Sequence, residues 1–224
     1  MEHSLDTPPH LTPAARDQAR TGKRRRLSAA ERGSQLLDVA VELFAERGIE
    51  GVSLEDIARV AGVTRPTVYA HHGSLAGIFV ACARRARAEF ERDLLHSAQI
   101  ATGTPEEALA TAGRVFLELI AHDPARWALL FATSASWTGE MAEQLLELRQ
   151  STIDLIADLI APRAPHTERA TLLAAAHIVS GIGEQLGRWW IRHPDKSLDD
   201  ALDLYVASTS GAIRAILQAP DETS

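Results

Sequence analysis

The chain has 224 residues, 46% of them hydrophobic and 5% aromatic, with a formal net charge of −7. That composition suits an Ala- and Leu-rich helical protein of one domain or two modest ones, and the single cysteine, Cys82, excludes an intrachain disulfide and any multi-cysteine metal site. The longest uncharged run of the C-terminal half, Ala170 to Gly183, is too short to span a bilayer, and no basic start with an apolar core suggests secretion, so the expected compartment is the cytoplasm with no membrane contact.

Residues 1–27 contain Pro8, Pro9, Pro13 and Gly22 without sustained periodicity, and they read as a flexible arm. The arm ends in Lys23, Arg24, Arg25 and Arg26. Charge is divided unevenly: residues 1–97 carry +1, residues 98–224 carry −8, and Arg20–Arg32 holds six basic residues against one acidic. Attraction to phosphate is local, so the acidic average leaves the basic arm free to follow DNA. Ser28 with Glu31 forms a capping-box pattern, and a helix follows to Arg47, with Leu36, Leu37, Ala40, Val41, Phe44 and Ala45 on its apolar face and Gly48 at its end.

Residues 53–72, SLEDIARVAGVTRPTVYAHH, read as two short helices joined by a tight turn. Ser53 caps the first, with Asp56 in the reciprocal position, and Leu54, Ile57, Ala58 and Ala61 give it an apolar stripe. Gly62 supplies the residue that tolerates φ > 0, Thr64 caps the second helix, and Pro66 falls in its first turn. With Val68 turned inward as the anchor, Arg65, Thr67, Tyr69 and His71 remain on or beside the outer face. Arg can bond a guanine edge bidentately, Thr can touch a base edge or thymine methyl, and Tyr and His can reach phosphates. The candidate DNA-binding set is Ser53, Thr64, Arg65, Pro66, Thr67, Tyr69 and His71, together with Lys23, Arg24, Arg25 and Arg26 of the arm.

This stretch, with LLDVAVELFAERGIEGV before it, resembles the N-terminal domain of the TetR family of bacterial transcriptional regulators over roughly residues 30–80. The resemblance implies an all-α homodimer in which three N-terminal helices bind a palindromic operator in double-stranded DNA. A larger C-terminal domain would bind a small-molecule effector and dimerise through the last two helices. Two positions depart from the family pattern: His72 stands in place of an aromatic Phe, and Leu75 in place of a lysine that contacts the DNA backbone. The expected organisation is arm 1–27, helix-turn-helix domain 28–74 and ligand-binding domain 75–224, about nine helices in all.

Beyond His72-Gly73-Ser74 a linking helix keeps apolar spacing through Leu75, Ile78, Phe79, Cys82, Ala86 and Phe90. Thr104-Pro105-Glu106-Glu107 opens another helix to Ala121, and Asp123-Pro124 a short one. A long helix is expected from Gly139 to Ile160, stopped by Pro162 and Pro165. Helices over residues 167–192 and 198–217 are rich in Ala, Ser and Gly, a composition that lets helix axes approach closely.

Phe116, Trp127, Phe131, Trp137 and Met141 have the apolar character of a ligand pocket, and His177 and Glu184, seven apart, could orient a bound molecule. The same residues also suit an ordinary core. No HxxxH or HExxH spacing, nucleophile–base pair or paired carboxylates stand out, and Gly181–Gly187 has neither the spacing nor the preceding strand of a nucleotide loop. No metal, cofactor or catalytic residue is therefore expected. The leading expectation is a ligand-responsive repressor; the alternative is a small-molecule binding protein or enzyme with a vestigial DNA-binding domain.

Overall fold

A computed structural model of the chain describes residues 27–101, 103–131 and 139–217. The chain divides into two compact units, residues 1–34 and 35–224. Of the first unit, residues 27–34 are described. There Ser28 and Glu31 form the expected capping box, each side chain taking the other's backbone N–H.

Among the described residues the secondary structure is nine α-helices, one 3-10 turn and no strand. They are α1 (Ala29–Arg47), α2 (Leu54–Ala61), α3 (Arg65–His72), α4 (Leu75–Ile100), α5 (Pro105–His122), α6 (Pro124–Leu130), α7 (Glu140–Ile160), α8 (Arg169–Ile191) and α9 (Leu198–Leu217). Most starts are set by side chains that satisfy the orphan N–H groups of the first turn. Ser53, Ser74, Thr104 and Asp123 each accept from the third residue of the helix they open. The 3-10 turn Ala161–Arg163 follows α7 at Pro162, which cannot continue the helix's hydrogen bonds.

Three local expectations need correction. Leu43 is buried on α1 while Ala45 is exposed, because the core-facing stripe runs through Leu36, Ala40, Leu43 and Phe44 and leaves position 45 outside it. Thr64 stands at the start of α3 but makes no side-chain cap; its hydroxyl is within 2.9 Å of the Thr67 hydroxyl instead. α8 starts at Arg169 behind Glu168, two residues later than its expected start at Thr167.

Within residues 35–224, α4 is the shared element. Its first half packs with the small N-terminal helices: Phe79 meets Phe44 edge-on at 5.3 Å, Arg85 bonds Asp38 at 2.7 Å, and Cys82 is buried against the Leu37 carbonyl. Burial pushes the Cys82 thiol up to about 12, so it is a packed side chain and not a reactive thiolate. The second half of α4 contacts α5, α6 and α7, while α9 packs on both α5 and α8, and α7 on α8. One hydrophobic cluster runs from Leu36 through Phe79 and Phe90 to Trp127 and Leu202, and a smaller one joins α7 and α8 through Ile153, Ala157, Leu172 and Ala176. None of the helices among the described residues is long and apolar enough to cross a membrane.

Candidate nucleic-acid interface and buried cavity

The turn between α2 and α3 is closed by glycine geometry. Gly62 takes φ 65°, ψ 37°, its N–H bonds the Arg59 carbonyl at 3.3 Å, and the Val63 N–H bonds the Ala58 carbonyl at 2.9 Å. This pair of bonds is a Schellman closure, which satisfies the last carbonyls of α2 and turns the chain sharply. At the other end of α2, Ser53 and Asp56 exchange backbone hydrogen bonds. The Asp56 carboxyl is drawn down to about 2, first by the Ser53 hydroxyl and then by Arg59. The Ser53 hydroxyl itself donates to Asp56 at 2.6 Å, so this residue holds the helix start.

Val68 is fully buried, and around it α3 presents the opposite face. Tyr69 is 63% exposed, Arg65 and Pro66 are exposed, and Thr67 and His71 are half-buried. Arg65 is engaged in the free protein: its Nε lies 2.9 Å from Glu55 on α2. Both partners are exposed, so the pair is weak, worth about 0–1 kcal/mol, and can be exchanged for a guanine or phosphate. Leu75 is partly buried and packs onto the main hydrophobic cluster, an apolar use of the position that a lysine would take to DNA. Lys23, Arg24, Arg25 and Arg26 lie outside the described residues.

A cavity of ≈ 330 Å³ lies among α4, α5, α7, α8 and α9. Its wall includes Phe90, Phe116, Phe131 and Tyr205, with Phe116 edge-on to Phe131 at 5.8 Å and stacked on Tyr205 at 6.3 Å. Glycines let these rings close in: a Cβ on Gly183 would lie 3.4 Å from Phe116, and one on Gly113 would lie 2.5 Å from Tyr205. Burial pushes the Tyr205 phenol well above its usual range.

The sequence-derived pocket residues separate into distinct places. Phe116 and Phe131 form cavity wall. Trp127 is buried behind Phe131, 5.7 Å from its ring, and packs over Gly187 without lining the cavity. Met141 is half-buried against the main cluster, and Trp137 lies outside the described residues. His177 is exposed and no part of the cavity, because its helical turn faces outward from buried Ala176 and Val179. Glu184 is buried beside the wall, not in it, and accepts from Arg149 at 2.6 Å and Arg188 at 3.0 Å. Gly181 to Gly187 lies wholly within α8.

Sequence reasoning missed Arg87, Arg149, Thr152 and Tyr205, all of which line the cavity. Arg87 was legible in principle. It continues the stripe of Ala83, Phe90 and Leu94 at helical spacing, so a charged residue occupies an apolar face. Its Nη1 donates to Thr152 Oγ1 at 2.8 Å and its Nη2 to the Leu130 carbonyl at 2.7 Å. Burial, opposed by Glu91 and aided by Arg149, lowers its pKa to about 10, which still leaves the guanidinium charged at neutral pH.

Comparison with known proteins matches both parts. Residues 36–82 fit the bacterial regulatory proteins of the tetR family, and residues 104–208 fit the tetracyclin repressor-like C-terminal domain. The chain is 26% identical over 181 residues to the HTH-type transcriptional activator FasR of Mycolicibacterium smegmatis, covering 80% of this chain and 81% of that one. It is 29% identical over 186 residues to the HTH-type transcriptional repressor BepR of Brucella suis, covering 79% and 88%. A TetR-like transcriptional regulator from Rhodococcus sp. RHA1 superposes with a TM-score of 0.65 at 27% identity, over 86% of this chain and 100% of that one. With a Schellman-closed helix-turn-helix at one end of α4 and a walled cavity at the other, the chain belongs to the TetR family of bacterial regulatory proteins.

Proposed function

We propose that the protein is a homodimeric repressor, released from a palindromic operator when a small molecule occupies the cavity. One observation supports this most directly. α4 carries both ends of the mechanism: Phe79 packs on Phe44 and Cys82 on Leu37 of α1, which supports the helix-turn-helix, while Arg87, Phe90, Leu94 and Ala98 form cavity wall on the same helix. A ligand that fits one tilt of α4 better than another shifts the two recognition helices of a dimer, which must match major grooves about 34–36 Å apart.

Base reading falls to Arg65 and Thr67. Tyr69, His71 and the Lys23–Arg26 cluster supply phosphate contacts, and the cluster takes the part that Leu75 cannot play. The dimer partner would cover α8 and α9, where Ile178, Ile191 and Leu204 are exposed and where a Cβ at Gly181 or Gly211 would meet nothing within 4 Å among the described residues. Relatives of similar identity include both an activator and a repressor, so the sign of regulation is part of the proposal.

Purified protein incubated with genomic fragments, followed by sequencing of those retained, should recover a short set sharing an inverted repeat. Reporter expression from that site should rise when the gene for this protein is deleted. Failure to retain any sequence would favour the vestigial-domain alternative, for which Leu75 is the supporting observation. A fall in reporter expression would make the protein an activator.

A further inference from the structure

The enclosed end of the cavity holds more positive charge than its protein neighbours neutralise. Arg87 is 6% exposed, its two Nη groups donate to a hydroxyl and a carbonyl, and its Nε has no hydrogen-bond partner among the described residues. Arg149, also in the wall, shares the single carboxylate of Glu184 with Arg188. Glu91 accepts from the Thr152 hydroxyl at 2.6 Å and acts on Arg87 only at longer range. Among the described residues, three guanidinium groups thus stand against two carboxylates, beside the rings of Phe90, Phe116 and Phe131. A buried positive charge without a matching carboxylate is costly unless an anion joins it.

The rest of the wall is apolar and long. α4 follows it from Arg87 to Ala98 and α7 from Arg149 to Ile160, about 16 Å of helix in each case. The far end reaches Pro105, Glu106, Arg163 and Arg214, all at least partly open to water. There Arg214 is paired with Glu106 at 3.2 Å and Arg163 bonds the Leu159 carbonyl at 3.3 Å, so water and these partners already satisfy the outer charges.

We infer that the cavity takes an acidic amphiphile head-first. Its carboxylate lodges beside the guanidinium groups of Arg87 and Arg149, which both line the cavity, and a single apolar chain runs toward Ile160 and Leu217. The cavity of ≈ 330 Å³ accommodates about eleven non-hydrogen atoms at roughly 30 Å³ each, which, with two of them carboxylate oxygens, points to a chain of about nine to ten carbons. The inference rests on the reading of this cavity as the effector site.

Calorimetric titration of the full-length protein with decanoate, 1-decanol and decanoyl-coenzyme A tests the inference. Decanoate should bind at least tenfold more tightly than either of the others, since the alcohol lacks the charge and the thioester cannot place its anionic part inside. Arg87→Gln should erase the advantage over decanol, and Arg87→Lys should restore part of it. Should Arg87→Gln not fold, the wild-type series still decides. Decanol or decanoyl-coenzyme A binding as tightly as decanoate, or no decanoate binding, overturns the inference. A parallel operator-release assay separates the two readings. Decanoate that binds without releasing DNA upholds the site and sinks the effector role, whereas release by decanol but not decanoate does the reverse.

Discussion

Arg65 and Asp56 show how the face proposed to read DNA is held in the free protein. The Glu55 carboxylate holds the Arg65 side chain at 2.9 Å in the open. Replacing Arg65 with Ala should weaken binding to the cognate operator by about 1–3 kcal/mol and relax preference at one base pair, measured by titration of specific and random duplexes. An equal loss on both would show that Arg65 contacts phosphate only. At Asp56 the folded carboxyl sits at about 2, below its ordinary 3.8, so its contribution to stability is present above pH 4 and lost as pH falls toward 2. Ser53→Ala removes the largest cause of that shift. Thermal melts should then show about 1 kcal/mol less stability at neutral pH and a flatter fall between pH 4 and pH 2. An unchanged acid limb would mean that Arg59 and the Ser53 backbone N–H set the carboxyl.

At the scale of the elements, close helix approaches depend on two glycines in the interior of the C-terminal domain. A Cβ at Gly113 on α5 would lie 2.5 Å from the Tyr205 ring on α9, and one at Gly187 on α8 would lie 2.7 Å from Ile120. Gly113→Ala should destabilise by about 1–3 kcal/mol in denaturant melts, because a well-packed ring must move, and should narrow the cavity that Tyr205 walls. A helix-propensity gain with no loss of stability would show the ring to be free to shift. Helix starts were the most legible features, since a capping residue and its partner are three apart in sequence. Where no side chain caps, as at Thr64 and before α8, packing moves the boundary or leaves the cap unused.

For the whole molecule, the proposed dimer and arm make separable predictions. Sedimentation should show a dimer without DNA, and Gly181→Phe or Gly211→Phe should disturb it, since a Cβ at either position would meet no atom of the described residues within 4 Å. A monomeric wild type at micromolar concentration would remove the spacing mechanism. Deleting residues 1–26 removes the Lys23–Arg26 cluster from both copies. At about 0.9 per phosphate contact, the slope of log K against log salt should flatten by roughly two to five units while base preference survives. An unchanged slope would assign phosphate attraction to Tyr69, His71 and the backbone N–H groups at helix starts.

Helix count, the helix-turn-helix and its outward residues were readable from the sequence because capping, glycine turns and 3.6-residue periodicity are local. Ser53 with Asp56, Gly62 and Val68 each act within a few residues of chain. The cavity is not local in this sense. Arg87 meets Thr152 and Leu130 across 65 and 43 residues, and Glu184 meets Arg149 across 35. Periodicity places aromatic residues such as Phe116 and Trp127 alike on apolar faces, but only the packing of five helices leaves one against an open space and the other behind it. Whether a buried charge finds a full set of partners is likewise decided by which helices meet, and no spacing along the chain carries that information.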